Sequence, residues 1–139
     1  MDTVTIEKLG AEPLKPMLTK IDAAKSYQEL VSLLAQLAKT DEAELLGLSV
    51  GADEKNSTTN IVSLYQAGLS LPEKDYYFKT DSSSKVARAG FVSYASTLFK
   101  LTGVDNATAA KNANSILALE TEIAKSHRSP QELRDPQKL

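Results

Sequence analysis

The sequence predicts a mainly α fold of about five to seven helices with one small β-hairpin. Three observations carry this reading. Apolar residues recur at spacings of three and four along most of the chain, capping residues stand directly before those runs, and only from Leu46 to Gln66 does the pattern change to strand-like residues. At 139 residues the chain is long enough to bury roughly two-thirds of its unfolded surface in one core, without metal or disulfide support. Residues 1–139 read as one helical domain, since no internal repeat emerges and the only biased segment is a run of three serines.

The first helix is expected from Thr3 to Leu9, closed by Gly10, because glycine suits the residue after a helix. A second should cover Glu12 to Asp22. Pro13 fits its first turn, whereas Pro16 lacks an amide donor, so the helix should begin near Pro16 and not well before it. Ser26-Tyr27-Gln28-Glu29 is a capping box, and Tyr27, Leu30, Leu33, Leu34 and Leu37 then fall on one face, with Lys39 in the last turn.

Beyond the polar residues 40–44, Leu46, Leu48 and Val50 alternate with Gly47, Ser49 and Gly51, which is strand patterning. Asn60 to Gln66, with Ile61, Val62, Leu64 and Tyr65, is a second β-favouring run. The Asp, Asn and Ser residues between the runs predict a hairpin with a long polar loop. Such a hairpin is marginal alone in water, so it is expected to lie on helices or pair with further strands. Pro72 should open a short helical turn reaching Tyr77. Residues 81–84 should cap a long helix from Lys85 to Thr102, stopped by Gly103. Its Phe91, Tyr94, Ala95, Leu98 and Thr102 repeat at helical spacing as core, and Gly90 marks an expected close helix crossing. A last long helix should run from Ala107 to Lys125, and Ser129-Pro130-Gln131-Glu132 is a second capping box.

Composition excludes several classes of function. The net charge is −2 with lysine and arginine dispersed, so no basic stripe points to nucleic acid and no polybasic cluster to an anionic membrane. No apolar run approaches the length of about 18 residues needed to span a bilayer. There are no cysteines, hence no disulfide framework. Asn56-Ser57-Thr58 and Asn106-Ala107-Thr108 match glycosylation sequons, triplets that arise often by chance.

Candidate chemistry is sparse. His127 is the single imidazole, which excludes a multi-histidine zinc site within one chain and any histidine-based triad; it reads as a residue near a helix carboxyl end. Glu120 stands within the apolar stripe of Ala113, Ile116, Leu117, Ile123 and Ala124, and a buried carboxylate needs a partner or a raised pKa. It is either a proton-transfer group or one half of a structural ion pair with Arg134, Arg88 or Arg128, the latter being the simpler reading. The acidic residues Asp41, Glu42 and Glu44 lack the alternating ligands and glycine of a calcium loop. Asp53, Asn56 and Ser57 read as groups that bond their own loop's backbone, with Lys55 among them opposing a cation. Asp75, Tyr76 and Tyr77 read as packing with polar handles. No glycine-rich phosphate loop or nucleophile motif is present.

Two stretches are more specific. Val50-Gly51-Ala52-Asp53-Glu54-Lys55-Asn56-Ser57 matches a "V-G-x-D-x-K-N-S" turn, and Gly68-Leu69-Ser70-Leu71-Pro72-Glu73-Lys74-Asp75-Tyr76-Tyr77 matches "G-L-x-L-P-x-x-D-Y-Y". Together they resemble the neprilysin and endothelin-converting-enzyme family of zinc metallopeptidases. Weaker matches extend the resemblance over nearly the whole chain. Gly10 to Ile21 is similar to "G-x-x-P-L-x-x-x-L-x-x-I", the helix around Glu120 to "L-E-x-x-x-A", and Arg134-Asp135-Pro136 to an "R-D-P" turn.

The resemblance implies a non-catalytic, mostly helical region that faces a zinc-bearing domain and limits access to peptides. The family's H-E-x-x-H, E-x-x-x-D and N-A-Y/F motifs do not occur in this sequence. Asp53, Lys55, Asn56, Ser57, Pro72, Asp75, Tyr76, Tyr77, Glu120, Arg134, Asp135 and Pro136 are therefore expected to be structural, with no catalytic or metal residue in this chain. The resemblance also implies zinc in the parent enzyme and none here, the parent's own catalytic domain as partner, and peptides as its substrates. Animal members are disulfide-rich, so a cysteine-free chain is expected to be bacterial and periplasmic or secreted. The "R-D-P" turn stops at Leu139 where the family continues, so the chain is expected to be a fragment with Met1 an internal residue. The competing reading is a free-standing helical module that binds a peptide or protein.

Overall fold

The computed structural model describes residues 2–40, 46–53 and 55–134. Among them are six α-helices, three short 3-10 turns and one two-stranded antiparallel sheet, the mainly α fold with a hairpin that the residue pattern predicts. They divide into two compact units: the described residues of Met1–Ala11 and Leu69–Leu139 form one, and those of Glu12–Gly68 the other.

In the first unit, α1 (Thr3–Leu9) is capped by Asp2, whose Oδ1 accepts the Thr5 amide at 3.1 Å. Gly10 ends it at φ 51°, a conformation that favours glycine. Pro72 lies in a bend, and α4 (Asp75–Phe78) begins only at Asp75, three residues later than expected. Asp81 caps α5 (Ser82–Leu101), accepting the Ser84 amide at 2.9 Å and the Ser84 hydroxyl at 2.7 Å. These bonds favour its ionised form and hold its carboxyl below the ordinary range. Asp105 likewise caps α6 (Asn106–Ser126), accepting the amides of Ala107 and Thr108.

Helices α5 and α6 pack through small side chains: Ala95 and Ser96 on one, Ala109, Ala113 and Ala124 on the other are buried. A neighbouring cluster of Leu71, Tyr77 and Ala124, with Leu69, Tyr76, Ala87, Phe91 and Leu117 against it, joins α4 to both. The expected aromatic core of α5 is only partly realised. Phe91 is half-buried, but Tyr94 is 62% exposed and Leu98 and Leu101 are exposed too. Nor does Gly90 mark a close crossing, since a Cβ there would meet nothing within 4 Å. The contact of α5 with α6 runs instead through its alanine and serine face.

The second unit holds α2 (Lys15–Ala23), α3 (Tyr27–Leu37) and the hairpin. Pro16 occupies the first turn of α2, after a 3-10 turn at Glu12–Leu14. The capping box of α3 is complete: Glu29 N–H donates to Ser26 Oγ at 3.2 Å and Ser26 N–H to Glu29 Oε2 at 3.1 Å. Only Leu37 of α3 is buried, and Tyr27 and Leu30 at its start are exposed. Lys39 falls in a following 3-10 turn instead of the helix.

Strand β1 (Leu46–Asp53) pairs with β2 (Asn56–Gln66) from Leu46↔Gln66 to Ala52↔Asn60, then after an irregularity at Asp53↔Asn56. Strand pairing thus reaches Asp53↔Asn56 where a long polar loop is expected, and β2 starts at Asn56, not Asn60. Two features account for the correction. Ser57, Thr58 and Thr59 include β-favouring threonines. Asp53 Oδ1 accepts the Lys55 amide at 2.9 Å, and Asn56 Oδ1 accepts the Thr58 amide at 3.3 Å and hydroxyl at 2.7 Å, which gives the tip local partners. Asn56 Nδ2 also donates to Thr59 Oγ1 at 3.2 Å. At the other end Gly47 lies under the ring of its cross-strand partner Tyr65, where a Cβ would fall 1.8 Å from a ring carbon.

Candidate functional site

The most constrained polar group in the first unit is centred on Glu120. Its helix places it over the segment between Leu69 and Tyr77, and the residue is only 7% exposed. Ser70 N–H donates to Oε2 at 3.0 Å, Ser70 Oγ donates to Oε1 at 2.7 Å, and the Tyr77 hydroxyl donates to Oε2. The Tyr77 hydroxyl also accepts the Leu71 amide at 3.0 Å. Burial first, then the bond to Glu120, pushes the Tyr77 phenol up to about 12.

This arrangement corrects the expected ion pair. The carboxylate is satisfied by neutral donors, and among the described residues no cation pairs with it. Arg88 donates instead to the Tyr76 carbonyl oxygen. Three donors converging on two oxygens make Glu120 an acceptor that fixes a chain segment, a structural role for a buried carboxylate. Nothing in the residue pattern singles out Ser70. Its only signal is its place in the "G-L-x-L-P" stretch, and a serine 50 residues from its partner leaves no periodic trace.

The other motif residues occupy simpler positions. Asp75 pairs with Lys79 at 2.7 Å on the surface, Pro72 is exposed in its bend, and Arg134 ends a 3-10 turn, its amide donating to the Gln131 carbonyl at 3.3 Å. That turn follows the second capping box, in which Ser129 N–H donates to Glu132 Oε2 at 2.7 Å. Asp53, Lys55 and Asn56 build the hairpin tip and Ser57 is exposed beside them. Asp135 and Pro136, and the acidic residues Asp41, Glu42 and Glu44, lie outside the described residues. His127 caps the carboxyl end of α6, and its carbonyl accepts the Lys74 ammonium at 2.5 Å.

An open cleft of about 500 Å³ runs along α5 and α6, lined by Arg88, Val92, Ser93, Ser96, Asn114 and Leu117 among others. Its described lining contains no imidazole or carboxylate beside Ser93 and Ser96, the kind of group that activates a serine nucleophile. Nor do the described residues offer a zinc ion a site. Among the described residues no three His, Cys, Asp or Glu side chains converge, where a zinc site needs at least three protein ligands.

The model of peptidase family M13, in its amino-terminal part, matches residues 1–139. The chain belongs to peptidase family M13. It is 30% identical to mouse endothelin-converting enzyme 1 over 148 aligned residues, which cover 100% of the chain and 19% of that enzyme. An endothelin-converting enzyme homolog of Locusta migratoria is 28% identical over 97% of the chain. Among solved structures, the zinc metalloprotease Zmp1 of Mycobacterium tuberculosis in its open state matches with a TM-score of 0.87 and 31% identity, covering 98% of this chain and 21% of that one. Zmp1 in complex with an inhibitor matches at 0.85 and 32%, over 95% of this chain. This M13 chain therefore spans about a fifth of the relatives it matches, their amino-terminal region.

Proposed function

We propose that this chain is part of the non-catalytic helical domain of an M13 zinc endopeptidase, a lid that limits which peptides reach a zinc site built by polypeptide outside residues 1–139. The observation that carries the reading is the match of the amino-terminal M13 model over the full chain, joined to a donor set that cannot assemble a zinc site among the described residues. Within the lid, Glu120 holds the segment from Ser70 to Tyr77 against α6, and the hydrolytic chemistry belongs to the remainder of the parent. The absence of cysteine supports a bacterial parent, and by resemblance to its family that parent acts in the periplasm or outside the cell. The extensive apolar surface of the described residues, from Val4 on α1 to Leu119 on α6, supports a domain whose natural surroundings include more polypeptide.

The test is a substrate ladder presented to the parent polypeptide that carries this segment. A lid predicts hydrolysis of short peptides and a steep fall in kcat/KM toward folded proteins. Equal cleavage of both would contradict it. Residues 1–139 alone should bind no stoichiometric zinc and cleave neither substrate.

A further inference from the structure

The hairpin has two chemically different faces. Directly paired residues share a face, so Leu46, Leu48, Val50, Val62 and Leu64 stand together, while Ser49, Ser63, Gly51 and the Gly47–Tyr65 pair belong to the other. The second face is small and polar apart from Ile61 and Tyr65, and Tyr65 closes over Gly47. The first is a continuous aliphatic strip, yet Leu48 is 57% exposed, Leu64 68%, Val62 63% and Val50 69%. Two strands with such a strip are marginal in water and become stable when a third strand or another apolar layer covers them.

We infer that this aliphatic face is a docking surface for the part of the same M13 polypeptide that lies outside residues 1–139. The occupant follows from length. The relatives match this chain throughout, yet it makes up 19% of mouse endothelin-converting enzyme 1 and 21% of the Zmp1 chain, so in proteins of this family about four-fifths of the polypeptide is available to cover it. The matching chemistry is an apolar layer, a strand face or helix stripe rich in leucine and β-branched residues. A charged surface does not fit, because the strip carries no ionisable side chain. The inference rests on the proposal that residues 1–139 work within a longer peptidase.

The chain contains no cysteine, so single cysteines report each face by maleimide labelling, quantified at the substituted peptide. Val50→Cys probes the aliphatic face and Ser63→Cys the opposite one. Both should label rapidly in residues 1–139. In the complete peptidase Val50→Cys should label at least about tenfold more slowly, as expected when labelling awaits local opening, with Ser63→Cys nearly unchanged. Equal rates for Val50→Cys in both contexts would overturn the inference while leaving the peptidase reading intact. Slow labelling in residues 1–139 alone would also overturn it, by showing that the chain covers its own strip. A gene that ends without zinc-ligand motifs would overturn both proposals together.

Discussion

Glu120 stabilises its surroundings as an acceptor, so its removal should cost more than the loss of one contact. Truncation leaves the Ser70 amide, the Ser70 hydroxyl and the Tyr77 hydroxyl without their partner. Glu120→Ala should therefore lower unfolding stability by about 2–5 kcal/mol, read by urea denaturation; a loss below about 1 kcal/mol would show that the cluster is not a structural centre. Tyr77 adds a pH signature. Its folded value of about 12 lies above the ordinary 10.0, so ionisation favours the unfolded chain. The contribution is whole below pH 10 and is lost as pH rises through about 12, on the order of 2 kcal/mol in all. Tyr77→Phe should be less stable at neutral pH but lack this alkaline step, and an unchanged alkaline step would contradict the assignment. The sequence revealed that Glu120 sits in an apolar stripe, because helical period is local. It did not reveal the partner, because a neutral serine and tyrosine at separations of 50 and 43 residues look like any others.

Elements were legible where their signals act within a few residues. The capping box at Ser26, the aspartate cap at Asp81 and the glycines at 10 and 103 each work through bonds spanning two to four positions, and the helices start and stop beside them. The hairpin's alternation was legible too, whereas its tip was not, since turn-forming residues also sustain strand pairing when their side chains bond the backbone. Exposure was the least legible property. Periodicity tells which side chains share a face, but not whether anything covers that face, as Tyr94 and the β1 strip illustrate. Gly90 gives a clean element-scale prediction. It lies inside α5 with open space around its Cβ position, so Gly90→Ala should stabilise by about 0.5–1 kcal/mol through helix propensity. A destabilised variant in thermal melts would mean that a neighbour does approach the helix there.

At the scale of the molecule, the resemblance carried by Asp53 to Ser57 and Gly68 to Tyr77 became family membership through a match along the whole chain. Those motifs were specific because they combine turn residues, a proline and paired tyrosines in fixed order. Their structural roles differ: the first makes the hairpin tip, and the second brings Tyr77 beneath Glu120. Among the described residues neither belongs to a group of three possible metal ligands, which supports the proposal that the chain is a supporting part of a peptidase. The most direct measurement is to read the source genome in frame beyond the codon for Leu139. If the chain is the lid of an M13 peptidase, H-E-x-x-H followed by E-x-x-x-D is expected in the same reading frame. A stop codon before either motif would contradict it and put a free-standing helical binding module in its place.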